Sequence, residues 1–226
     1  MTRALMFLLV GLLAAGSAAF AAPIYFNDFQ SSVGAGWSNT TTSTTPAGCT
    51  TCTTYLGQFG NQSVTLTLTG LPTSTQLTIS FDEFIIRSWD GNGEQGFGPD
   101  TAAFSIGGAN TLTTTFANGL VGNTQNYPTA GSAAQTGAAQ VNTLGYTFIG
   151  VPRDSIYALS FNWFNTSSTQ TFTWSASGLQ ELADESWGID NVSVSGPDEA
   201  IPEPGTALLL GSGVLAFLLY RRRRSA

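Results

Sequence analysis

Residues 63–70 read SVTLTLTG, with Val64, Leu66 and Leu68 alternating strictly with Thr65, Thr67 and Thr69. A period of two puts the aliphatic side chains on one face and the hydroxyls on the other. That is the pattern of a half-buried antiparallel strand and of no helix. Leu71-Pro72-Thr73-Ser74 then turns the chain, and QLTISFDEFII continues the pattern through Leu77, Ile79 and Phe81. Similar segments predict strands at residues 24–29, 102–106, 111–116, 155–164, 170–177 and 186–195. The stretch 118–142, rich in glycine, alanine and glutamine, reads as a long or poorly ordered loop. Many short strands with no helical period predict an all-β fold, an antiparallel β-sandwich of jelly-roll type.

The two ends of the chain are of a different kind. Arg3, the apolar run 4–13 and the small-residue site Ala19-Phe20-Ala21 predict a cleaved signal helix over residues 1–21. At the other end, residues 206–220 are apolar apart from Thr206, Ser212 and Tyr220. As a helix this run is ~22 Å long, short of a ~30 Å hydrocarbon core unless 201–205 also enters. Arg221, Arg222, Arg223 and Arg224 follow and hold that end in the cytoplasm, leaving the preceding residues outside. A short membrane anchor would account for these features.

Pro202-Glu203-Pro204-Gly205, then the weak span, then the arginine cluster, closely resembles the PEP-CTERM sorting signal of Gram-negative bacteria that make exopolysaccharide. The resemblance implies recognition by an exosortase, a membrane transpeptidase that cuts near Pro202-Glu203-Pro204 and releases the body to the cell surface. It covers the last 26 or so residues. The expected organisation is a signal peptide (1–21), a sandwich domain (22–200) and a sorting signal with a transmembrane helix (201–226). The membrane is then a partner only through that helix, before processing.

Charge narrows the body's chemistry. Between the two signals the only basic residues are Arg87 and Arg153, against 11 acids from Asp28 to Asp190. Such a surface does not hold a phosphate backbone, which excludes nucleic acid, and its expected charged partner is a divalent cation. The chain has no histidine and no lysine. That removes Ser-His-Asp and Cys-His mechanisms, histidine-ligated zinc, Schiff bases and P-loops, and leaves carboxylate chemistry. Cys49 and Cys52 form a single C-x-x-C in a polar, threonine-rich setting, expected as a small disulfide loop in an oxidising compartment.

FNDFQSSVGAGWS at the front, SFDEFIIRSWDGNG in the middle and DESWGIDNVSV at the back resemble the jelly-roll sandwiches of choice-of-anchor type in bacterial surface proteins. This resemblance implies surface display, with calcium or glycan binding, and no enzymatic activity.

Two acidic constellations are candidate calcium sites. By strand phase Asp190 shares a face with Val192 and Val194, and Asp28 with Ile24 and Phe26. A buried carboxylate needs a partner, either backbone and hydroxyl donors or a cation, and the first and last strands of a jelly roll often lie side by side. In SWDGNGEQGFGPD, Asp90, Asn92 and Glu94 alternate through glycines and Asp100 returns at the end. Short oxygen ligands on a glycine-permitted bend suit calcium, although the spacing is not that of an EF-hand and a plain glycine-rich connection would look the same. The G-x-G-x-x-G formed by Gly91, Gly93 and Gly96 lacks a following helix and is no dinucleotide site. Among five tryptophans, Trp89 and Trp37 are the candidates to stack on sugars, while Trp163 and Trp174 fall in phase with core residues. Adjacent acids, Asp82-Glu83 and Asp184-Glu185, face opposite ways on a strand and make poor glycosidase pairs.

The expected function is a structural or adhesive role in the exopolysaccharide or biofilm matrix, non-enzymatic and calcium-stabilised. The alternative is a calcium-dependent carbohydrate-binding module acting through Trp89, Trp37 and the 90–100 loop. A matrix glycosidase ranks third.

Overall fold

The computed structural model describes residues 23–197 except 94, 95, 120 and 121. The predicted signal and sorting helices, and Glu94, lie outside the described residues.

The strands are β1 (Tyr25–Asn27), β2 (Thr42–Thr44), β3 (Thr54–Phe59), β4 (Ser63–Thr69), β5 (Thr75–Arg87), β6 (Thr101–Ile106) and β7 (Ala109–Thr115). They continue as β8 (Thr124–Gln125), β9 (Ser132–Ala133), β10 (Gln140–Val141), β11 (Thr147–Phe148) and β12 (Val151–Pro152). The long strands β13 (Asp154–Asn165), β14 (Thr169–Ser177) and β15 (Glu185–Ser195) complete the set. All strand pairings among the described residues are antiparallel. The larger sheet has the order β10-β13-β5-β15-β3-β2, with β1 also on β15, and the sheet packed against it the order β4-β14-β6-β7; β8-β9 and β11-β12 are separate two-stranded ribbons.

The alternation read from sequence is what closes the sandwich. Leu77, Ile79, Phe81 and Ile85 of β5 meet Phe104 and Ile106 of β6 and Phe172 and Trp174 of β14 in one buried cluster. Phe81 touches Phe104 and Trp174 at ring distances of 5.0 and 5.4 Å, across the two sheets. Each such ring removes most of its apolar surface from water, about 1.5–3 kcal/mol per large side chain. A second, smaller cluster of Tyr55, Phe84, Ile86, Leu144, Tyr146 and Ile156 lies on the other face of the first sheet.

Two expectations change. The 118–142 stretch is tied down by Gln125, which is fully buried. Its amide accepts from the Ala117 and Gln135 main chains and the Tyr157 hydroxyl, and donates to the Tyr127 and Thr136 carbonyls. These five hydrogen bonds to one side chain add to the short β8–β9 and β10–β13 pairings in holding the stretch in place.

The second change is a β-bulge in β15. Asp190 pairs with Asp82 and Ser193 with Ser80, so β15 spends one residue more than β5, at Asn191 with φ +51°. Trp187 and Ile189 before the bulge, and Val192 and Val194 after it, all reach the main core. Asp190 therefore does not share a face with Val192 and Val194. It lies on the opposite face, as Gly188 does, where a Cβ would overlap the Tyr55 ring.

Candidate functional site

β5 runs out through Ser88 and Trp89 to Asp90, which bridges to Ala117. Trp89 is completely buried and its Nε1 donates to the Ser186 carbonyl at 2.9 Å. The loop then bends at Gly91, φ +69°, where any side chain would overlap the Thr124 carbonyl. It returns at Asp100, whose main-chain N–H donates to the Gly91 carbonyl at 2.9 Å. Asp100 in turn accepts from the Asp90 main chain. Glu185, the first residue of β15, comes in from the third side.

Asp90, Asp100 and Glu185 are 4%, 0% and 0% exposed. One carboxylate oxygen from each lies within 4.8 Å of the others. Glu185 accepts from the Gln180 main chain at 2.7 Å. The Gln180 amide, nitrogen inward, adds donors at 2.6 and 2.9 Å. Asp90 accepts from the Asn123 amide at 3.0 Å. Two oxygens remain: Asp100 Oδ1 and Asn123 Oδ1 are buried and without a hydrogen-bond partner. Neither arginine of the body is hydrogen-bonded to the acids, although the charge of Arg153 favours ionised Asp90. Arg87 donates to Gln58, Leu182 and Ser186, and Arg153 to the Asn118 carbonyl.

Three buried carboxylates this close cannot all ionise without a counter-charge. Burial raises all three above the usual carboxylate range, Glu185 to about 9 and Asp100 to about 6. Without a cation the group holds a proton on Glu185, hydrogen-bonded to Asp100. With one, the spacing fits oxygens around an ion at 2.3–2.6 Å, the range for calcium. The same burial removes these acids from glycosidase chemistry, which needs its carboxyl groups facing a sugar in a cleft.

The other predicted residues fall differently. Asn92 donates to the Thr124 hydroxyl at 2.9 Å and accepts from the Thr115 hydroxyl at 2.6 Å, so both ends of its amide are engaged away from the acids. β1 does pair with β15, Asn27 opposite Val192. Asp28, however, lies half-buried on the outward face with Ile24 and Phe26, which are 44% and 55% exposed, because Tyr25 and Phe29 turn inward. Asp190 is 2% exposed and accepts from the Thr53 hydroxyl and the Asn191 main chain, both at 2.8 Å. Burial raises it to about 6. Hydroxyl and backbone donors are its bonded partners, while the charges of Asp82 and Asp28 lie near enough to raise it further.

Trp37 is also buried, its Nε1 on the Tyr25 hydroxyl at 2.7 Å and its ring 5.4 Å from Trp174. Trp89 and Trp37 present no face to a sugar, because both are packed into the core, Trp89 just beyond β5 and Trp37 at a bridge to Leu66. Cys49 and Cys52 are disulfide-bonded.

Glu185 and Asn123 were missed in the sequence. Glu185 carried a readable signal, since it alternates with Trp187 and Ile189 and so points to the core side. Asn123 carried none.

A shallow groove of about 430 Å³ opens on the outer face of the same sheet, lined by Thr41, Ser43, Gln58, Arg87, Leu182 and Ala183.

Residues 200–224 match the family model of the PEP-CTERM protein-sorting motif. No curated protein sequence matches the chain. Among solved structures, the body is similar to the CBM22-1 xylan-binding domain of Paenibacillus barcinonensis Xyn10C, at 11% identity and TM-score 0.40, over 81% of this chain and 100% of that one. It is also similar to a family 35 carbohydrate binding module from an environmental isolate, at 13% and 0.39, over 79% and 100%. Dimeric latent PorU of Porphyromonas gingivalis is similar at 12% and 0.41, over 81% of this chain and 14% of that one. The chain thus carries a PEP-CTERM protein-sorting motif at residues 200–224 behind a body that is all-β among the described residues.

Proposed function

We propose that this is a surface or matrix protein of an exopolysaccharide-producing Gram-negative bacterium, cut from its tail by an exosortase. Its body is a non-catalytic β-sandwich, structural or adhesive in the matrix, and calcium at Asp90, Asp100 and Glu185 fastens the 90–100 loop to β15. The observation that carries the reading is the sorting motif at residues 200–224. Three buried acids with two unpartnered oxygens beside them support the calcium.

The test is fractionation of producing cells with and without the exosortase. A shortened product in the matrix of normal cells, and a full-length membrane-bound chain in deficient cells, is the expected result. The same size and location in both would overturn the sorting reading.

A carbohydrate-binding role is the second reading. It no longer involves Trp89 or Trp37, which are buried, and rests instead on the groove around Arg87.

A further inference from the structure

In the β5–β15 ladder Arg87 sits directly opposite Glu185. Cross-strand partners share a face, so these two would ordinarily form an ion pair. They do not, because Arg87 has φ +66°, a left-handed backbone that a long L side chain rarely adopts. That twist sends the guanidinium to the outer face. There Nη1 donates to Gln58 at 2.7 Å, to the Ser186 hydroxyl at 3.2 Å and to the Leu182 carbonyl at 3.3 Å. The guanidinium also lies 5.0 Å over the Tyr146 ring. Backbone strain thus leaves Glu185 with its fellow acids and places a cation, with no carboxylate bonded to it, at a groove. Strain of this kind persists only where the surroundings enforce it, and it collects at functional positions.

The groove has the chemistry of a sugar subsite. Nη1 of the planar guanidinium is fixed, and its other two nitrogens make no hydrogen bond to the described residues. A fixed guanidinium fork matches a carboxylate, not a sugar hydroxyl. Leu182, half exposed, and Ala183 give an apolar wall for a ring face, and the Thr41 side chain, which makes no hydrogen bond to the described residues, also lines the groove. Resting on the carbohydrate-binding reading above, we propose that this groove binds a carboxylated sugar unit of an acidic polysaccharide, with Arg87 holding the carboxylate and Leu182 the ring.

The test is titration of the full chain, in non-ionic detergent, with a soluble hexuronic acid oligomer and with its carboxyl-reduced neutral counterpart. The acidic oligomer is expected to bind at least ~10-fold tighter than the neutral one, the discrimination expected of one good bidentate contact. Arg87→Lys should weaken it about tenfold by losing the fork, and Arg87→Met should abolish it. Leu182→Trp fills the groove without touching the arginine network's side chains, and should also abolish binding if Arg87→Met fails to fold. Equal affinity for the two oligomers, no binding of the acidic one, or binding that survives Leu182→Trp would overturn the proposal. Calcium bridging between carboxylates would survive both Arg87→Met and Leu182→Trp, and so counts against it. Matrix localisation and exosortase processing would stand in any of these cases, since they are read in cells.

Discussion

Glu185 and Asp190 lie five residues apart on β15, both buried, on opposite faces of one sheet. Asp190 is met by a hydroxyl and a main-chain N–H. Glu185 faces two more acids and two oxygens with no partner. The protein supplies donors to one acid and gathers acceptors around the other. Burial alone therefore does not mark a metal site; the balance of donors and acceptors around the buried acid does.

A third buried acid gives the scale for that comparison, and the largest predicted effect. Glu83 shares the core-facing side of β5 with Phe81 and Ile85, and burial raises it from 4.5 to about 8. The folded state therefore holds a proton that the unfolded chain releases. Stability is full below about pH 4.5 and falls as pH rises towards about 8, by on the order of 3–5 kcal/mol. Glu83→Gln should reduce this slope in denaturant melts at pH 5 and pH 8.5, Glu185 supplying the remainder where no cation neutralises it. An unchanged slope would mean that another group carries it.

The next largest effect separates the two acids of β15. Calcium at ~100 times its Kd should add about 2.7 kcal/mol, or roughly 5–10 °C in Tm for a body of this size. Asp100→Asn should remove most of that increment, while Asp190→Asn should leave it intact. If Asp190→Asn instead removes it, the ion belongs at the other face and the comparison is reversed.

The smallest effect tests the donors. Thr53→Val should lower stability by about 1–2 kcal/mol at pH 7, because it leaves the buried Asp190 carboxylate short of a donor, and Asp190→Asn should lower it by no more than that. A loss of several kcal/mol from either would show a larger network around Asp190 than Thr53 and Asn191.

The sequence made some of this legible and hid the rest for a definite reason. Where both faces of a strand follow period two, as in β4, β5, β6 and β14, the core was readable residue by residue. Asp90 and Asp100 were readable as one acidic loop because short oxygen ligands and glycines recur locally there. Single backbone departures were not readable. The extra residue at Asn191 reverses the face of Asp190, and the left-handed turn at Arg87 reverses the face of its side chain. Neither leaves a trace in composition, because each is imposed by neighbours distant in the chain. The partnership of Glu185 with a loop some 85 residues earlier is of the same tertiary kind, as is the anchoring of 118–142 by Gln125.

The placement of β15 bears on how the body withstands mechanical load. The strand that leads to the tail is not at an edge: β5 flanks it on one side, and β3 and β1 share the other. A pull delivered through the tail must shear β15 against three neighbours at once, whereas a terminal edge strand would peel away one hydrogen bond at a time. While the tail still holds the protein to a membrane, drag on the body is thus borne by a strand paired along both of its edges.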